Sequence, residues 1–310
     1  MPVNDGKPER QEYRACPVRS PTASRQMALL LTVLALLAFA SNSIFARLAL
    51  GSRRIDAGSF TLIRLASGAI LLNLLSWRRH QNPPRIFHPW LSALSLFGYA
   101  APFSFAYLKL EAGSGALILF GAVQGTMIGW DLFQGKRFRS LEFAGLCLAV
   151  GGLVFLTLPG NPRAPDLSGV ALMLLAGVSW GIYSLLGRRT PDPLPTTAAN
   201  FLTSLLPAAP LLLMAAPHGF VSAQGILLAI ASGAFASGLG YTLWYAALRG
   251  LSSTRAALVQ LLVPVLAAWG GVLFLGESLS WRLVSSGGIL MAGVALAVHS
   301  SREHPQTFLK

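Results

Sequence analysis

Acidic side chains are scarce in this chain: Asp and Glu number 11 among 310 residues, against 24 Lys and Arg. No carboxylate falls mid-depth in the first apolar stretch, where a buried proton carrier would sit. Asp131 and Glu142 lie near stretch ends on one side and Glu277 near an end on the other. Charged residues make up only 11%, where a soluble domain carries about 25%, which excludes an ordinary soluble fold. Two cysteines, Cys16 and Cys147, exclude a disulfide framework or a cysteine metal cluster. No phosphate-binding P-loop is present, so ATP is not the direct energy source. His80, His88, His218, His299 and His304 fall in connections, at a helix end or in the tail. The pair Ser232-Gly233 therefore has no buried base, and an intramembrane enzyme lacks its reactive constellation. The net charge of +13 would suit a nucleic-acid binder. The basic residues lie at stretch ends and in the N-terminal tail instead, so neither nucleic acid nor a cofactor or metal is expected.

What the chain has is apolar length. Hydrophobic residues make up 54%, gathered into ten stretches of roughly 18–24 residues, each long enough to cross a bilayer as a helix. They run 27–50, 57–77, 90–108, 112–132, 141–158, 167–186, 197–216, 224–246, 252–275 and 280–299. Alternating ten-residue strands are absent, which leaves helices as the way to satisfy the backbone in lipid. The run from Met27 to Leu50 is too long for a cleavable signal, so it reads as a retained first helix. Pro17 and Pro21 are expected to keep the tail from extending it.

Basic residues alternate by side. Arg10, Arg14, Arg19, Arg25, Arg78, Arg79, Arg85, Lys136, Arg137, Arg139, Arg188, Arg189, Arg249 and Arg255 share the side of the N-terminus, while few, such as Arg53, Arg54, Lys109 and Arg163, lie opposite. This bias predicts both termini in the cytoplasm. The two halves also resemble each other. A shift of 141 carries Gly135 onto Gly276 and Gly152 onto Gly293; upstream, a shift of 138 carries Tyr107 onto Tyr245 and Asn42 onto Trp180. Five helices per half is an odd number, so the second half must lie inverted, as in many secondary transporters.

The run from Leu262 to Leu296, LVPVLAAWGGVLFLGESLSWRLVSSGGILMAGVAL, with Pro264 and Gly276-Glu277, together with Trp180, carries a family likeness. The chain resembles an EamA-type member of the drug/metabolite transporter superfamily over about residues 27–299. Members export amino acids, drugs or other metabolites, and some relatives move nucleotide sugars. The first half departs from the pattern: Val123 replaces the proline, Lys136 replaces the glutamate, and Asn42 stands where tryptophan is usual.

Polar residues inside membrane spans are costly and become functional candidates. Arg64 lies about seven residues into the second stretch, ~10 Å deep. It reads either as an anchor for an anionic group or as a structural arginine bonded to carbonyls at helix ends; its repeat partner is Asn200. Arg47 sits near its helix end and can snorkel. Asn42, Gln124 and Gln260 carry amides that must find partners in lipid. Trp180, Tyr183, Tyr241 and Trp244 form an aromatic wall, with Tyr99, Phe103, Tyr107 and Tyr245 nearby. Tyr107 and Tyr245 read equally as an interfacial belt.

The sequence therefore predicts an all-α polytopic membrane protein of ten transmembrane helices in two inverted five-helix repeats. The parts are a basic tail (1–26), repeats at 27–158 and 167–299, and a short tail (300–310). The expected partners are a small-molecule substrate and membrane lipid, with a monomer as the working unit, in a bacterial inner membrane. The expected function is export by alternating access. A channel or lipid scramblase is the alternative class, ahead of an intramembrane enzyme.

Overall fold

A computed structural model describes residues 21–78, 90–135, 140–158, 164–187, 193–215, 220–248 and 258–300. Helices fill nearly all of them. They are α1 (Pro21–Leu50), α2 (Ala57–Arg78), α3 (Trp90–Ala106), α4 (Ala112–Phe133), α5 (Ser140–Thr157), α6 (Leu167–Gly187), α7 (Pro193–Ala208), α8 (Pro210–Ala215) and α9 (Ala223–Ile230). A π-helical segment, π1 (Ala231–Leu239), follows, then α10 (Gly240–Leu248), α11 (Leu262–Leu275) and α12 (Trp281–Ser300). Among the described residues, eight segments are long and apolar enough to cross a membrane, one of them being the continuous α9–π1–α10. Large apolar side chains such as Leu29, Ile70, Trp77, Phe133, Leu273, Phe274 and Trp281 point outward. An exposed apolar coat of that extent marks a surface made for lipid.

Prolines account for where the helices depart from the predicted stretches. The seventh stretch is split at Ala209, because Pro210 has no N–H to continue the ladder and its ring crowds the preceding turn. Pro264 likewise leaves the carbonyl of Gln260 without its helical donor, and the chain makes a turn at Leu261 before α11 begins. Pro21 does not stop the first helix short of Met27. It is the first residue of α1, a position where the missing N–H costs nothing.

The helices pack in exchanged pairs. Segment α9–π1–α10 lies against α1, and α3 lies against α6; α11 lies against α1, and α4 against α6; π1 lies against α2, and α3 against α7. Exchanging each helix for the one that the sequence reading expects as its repeat partner turns one member of each pair into the other. Two further pairs, α2–α7 and α5–α12, map onto themselves.

One end of the bundle is tied together by polar groups. Ile55 and Val221 form an antiparallel bridge, and Ser222 donates to the Arg54 carbonyl through both its N–H and its hydroxyl. Arg282 donates to the carbonyls of Phe155 and Leu158 at 2.7 and 2.6 Å. Lys109 pairs with Asp166 at 3.4 Å. Side chains also cap the helices that start here: Asp56 accepts from Ser59 N–H, Asp166 from Gly169, Ser222 from Gly225 and Ser280 from Leu283. Each such cap contributes about 1 kcal/mol. The Ser168 hydroxyl, then the Gly169 N–H and the Lys109 charge, hold the exposed Asp166 carboxyl down at about 2.

Candidate functional site

Midway along the bundle, polar side chains from both halves join one chain of hydrogen bonds. Arg64 on α2 is 1% exposed. Its Nη2 donates to the Tyr99 hydroxyl at 2.8 Å and to the Ser237 hydroxyl at 3.3 Å. Asn42 on α1 donates to the same Tyr99 oxygen at 2.9 Å and accepts from the Ser232 hydroxyl at 2.6 Å. Arg64 also lies over the rings of Phe103 and Tyr99, 4.6 and 4.9 Å from their centroids, which adds cation–π attraction in a dry setting. No backbone carbonyl is among the arginine's hydrogen-bond partners in the described residues; of its two readings from sequence, the one built on helix-end carbonyls does not match these partners. Its Nη1 is buried without a partner.

The π segment explains why two serines five residues apart reach one network. In a π-helix, residues i and i+5 bond to each other along one face. In an α-helix they would point about 140° apart, at 3.6 residues per turn. Ser232 and Ser237 are both buried against the first half. Gly233 makes the approach possible, since a Cβ there would collide with the Arg64 carbonyl and the Ser67 hydroxyl.

Beside the network lies a small cavity lined by Phe39, Asn42, Tyr99, Phe103, Trp180 and Tyr241, among others. Its aromatics touch in sequence: Trp180 is 4.9 Å from Tyr99 and 4.7 Å from Tyr241 by ring centroids, and Tyr99 is 5.2 Å from Phe103. Of the residues singled out from sequence, Asn42, Trp180 and Tyr241 thus line one cavity, with Arg64 behind Tyr99. Trp244 packs at 5.9 Å against Phe39, which lines it. Tyr183 and Asn200 belong to a second cavity with Ser92, Thr197 and Tyr245, and there Asn200 donates to the Tyr183 hydroxyl at 3.3 Å. Gln124 and Gln260 are buried but line neither cavity, and the Gln124 amide nitrogen has no partner. Tyr107 is fully buried rather than part of a surface belt, because its ring fills the contact with Phe103 at 4.8 Å.

Glu277 is a brace at the tied end. Gly276 takes a left-handed φ of 67° to close α11, and the glutamate after it reaches across the bundle. It accepts from the Ala112 N–H at 2.9 and 3.1 Å, at the start of α4, and pairs with Arg47 Nε at 3.2 Å. Arg47, which sequence suggested would snorkel, also donates to the Tyr107 carbonyl at 3.2 Å. Burial raises the Glu277 carboxyl above its usual range, against the lowering effect of the Ala112 N–H and Arg47. With a raised folded value, the stability this group adds is full below the ordinary carboxylate pKa and fades as pH rises through the raised value. Melting in detergent from pH 4.5 to 7 is therefore expected to show a downward component that Glu277→Gln removes. Glu277→Ala, which also strips the helix start of its acceptor, is expected to cost about 1–2 kcal/mol, against a smaller loss for Gln. Equal melting of the two variants would show that the Ala112 contact carries nothing.

A bundle of apolar helices with an apolar coat is the form of a polytopic membrane protein. The chain belongs to the EamA-like transporter family, whose sequence profile matches it over residues 26–158 and again over 167–299. It is 52% identical over 270 residues to an uncharacterised protein of Pseudomonas aeruginosa, covering 86% of this chain and 93% of that one. It is 30% identical over 278 residues to the threonine/homoserine exporter RhtA of Salmonella typhimurium, covering 84% and 88%. An uncharacterised transporter of Archaeoglobus fulgidus is 27% identical over 295 residues, covering 89% and 98%. A crystal structure 20% identical in sequence superposes with a TM-score of 0.63 over 87% of this chain and 96% of that one, a likeness of fold.

Proposed function

We propose that the protein is a secondary transporter that exports small metabolites, amino acids or amphiphilic compounds, through a midplane site between two inverted five-helix repeats. In this reading ten helices cross a bacterial inner membrane with both termini cytoplasmic. The observation that carries it is the hydrogen-bonded chain Ser232–Asn42–Tyr99–Arg64–Ser237 beside an aromatic cavity, built from both halves. Buried polar groups at membrane depth are expensive and are kept for a pathway. The exchanged helix pairs support two arrangements of one bundle around that site, as alternating access requires. The polar ties at one end suit a state closed on that side, and the second cavity then opens toward the other. The name of the RhtA relative favours export over uptake.

Counterflow into proteoliposomes, run with a panel of amino acids and amphiphilic amines and acids, tests the reading. Asn42→Ala, Trp180→Ala and Tyr241→Ala are expected to lower transport at least about fivefold in protein that still folds, because each removes a cavity wall. Gln124→Ala, away from the cavity, is expected to change it less. If the three cavity variants transport like the parent at equal abundance, the site lies elsewhere.

A further inference from the structure

The central cavity has donors to spare and no acid to match them. The Tyr99 oxygen accepts from both Asn42 and Arg64, and among the described residues its own hydroxyl proton has no acceptor. Behind it, Arg64 Nη1 is buried and unpartnered. The ion pairs among the described residues include Arg47–Glu277 and Lys109–Asp166, and Arg64 pairs with no carboxylate there. Its charge is met only by neutral hydroxyls and ring faces. In a medium where charge interactions are strong, a lone buried cation of this kind sets a positive potential over the cavity next to it. Of the groups that could welcome a second cation, the two rings and the amide oxygen nearest Arg64 are already taken. The faces of Tyr99 and Phe103 hold the Arg64 guanidinium, and the Asn42 carbonyl oxygen accepts from Ser232.

We infer that this cavity takes monoanionic carboxylates with a compact apolar or aromatic body. The cavity in this state, about 20 Å³, has room for a single water, so the ligand enters as the aromatic wall parts. Its carboxylate then accepts the Tyr99 hydroxyl proton, with the Arg64 charge behind, and its body lies against Trp180, Phe103 and Tyr241. This inference rests on the transporter reading and narrows its substrate. It also gives export a driving force that needs no proton site. An anion leaves a negative-inside cell down the membrane potential, which biases its distribution about tenfold for every ~59 mV.

The test uses the purified full chain and four probes of one shape: phenylacetate, phenylacetamide, phenethylamine and phenylalanine. Quenching of tryptophan fluorescence reads binding, and counterflow in proteoliposomes reads movement. Phenylacetate is expected to bind best, and a valinomycin-set negative-inside potential is expected to speed its efflux. Tyr99→Phe keeps the ring and is expected to weaken phenylacetate about tenfold or more while leaving phenylacetamide little changed, as loss of one hydrogen bond to a charged group does. Asn42→Asp, a second route, supplies the missing counter-charge from within. It is expected to abolish phenylacetate binding in protein that melts no lower than the parent. Phenylalanine, phenethylamine or phenylacetamide moving as well as phenylacetate overturns the inference and leaves a carrier standing. If no probe and no member of the wider panel is moved, the transporter reading falls with it.

Discussion

Arg64→Lys is expected to reach the membrane folded and to bind carboxylates about tenfold to 100-fold more weakly. The charge is unchanged, so the insertion penalty of about 2.5–3.5 kcal/mol for a cation at depth is the same for both side chains. What changes is geometry. The guanidinium spans Tyr99 and Ser237 at once and still holds Nη1 free. An ammonium is a single point and cannot serve all three directions. Losing one of the arginine's hydrogen bonds, such as the one that holds the Tyr99 hydroxyl in place for the carboxylate, costs about 1.5–3 kcal/mol, which gives the stated range at 1.4 kcal/mol per tenfold. Affinity and melting temperature measured on one preparation decide the matter. A large fall in melting temperature with affinity intact would make Arg64 a brace for α2 and α3 and nothing more.

Gly293→Val is expected to destabilise the bundle by about 3 kcal/mol or more, the upper range for overpacking. Helices α5 and α12 meet backbone to backbone. A Cβ on Gly293 would lie 2.5 Å from both the Ala149 nitrogen and the Gly145 carbonyl, and one on Gly145 would lie 2.6 Å from the Gly293 carbonyl. Backbone atoms cannot swing away as a side-chain tip can. In lipid this contact rests on van der Waals fit, because no water is released to drive it. Gly288→Ala on the same helix is the control, since a Cβ there meets nothing within 4 Å. Denaturant titration in detergent should separate the two variants widely; a Gly293→Val protein as stable as Gly288→Ala would mean the pair is looser than its geometry.

Much of this was legible in the chain. Apolar length gives helices at each stretch, since nothing else spans lipid. The shift of 138 that carries Tyr107 onto Tyr245 also carries Tyr99 onto Ser237 and Phe103 onto Tyr241, four residues around Arg64. Asn42, Trp180 and Tyr241, which line the small cavity, stand out in the sequence as polar or aromatic groups at mid-depth against leucine. Gln124, Gln260, Tyr183 and Asn200 stand out equally, yet depth alone does not say which face of a helix turns inward. Tyr99 was read as one aromatic among several, and only its hydroxyl, which accepts from both Asn42 and Arg64, singles it out. Ser232 was weighed only as a nucleophile without a base and Ser237 was not singled out; at 3.6 residues per turn the two fall on different faces. Their signal was present as a five-residue repeat, ASGAF followed by ASGLG from Ala231 to Gly240, a spacing that suits π and not α.

That same π segment makes the network and the local backbone a single two-position part. Straightening Ala231–Leu239 into α geometry would swing Ser237 about 140° from Ser232, so Asn42 and Arg64 could not both keep their serines. The turn would also change the rotational phase of everything beyond it, carrying Tyr241 and Trp244 away from Trp180 and Phe39. The slip of one hydrogen-bond register therefore changes the cavity's polar end and its aromatic wall together, with no helix needing to tilt.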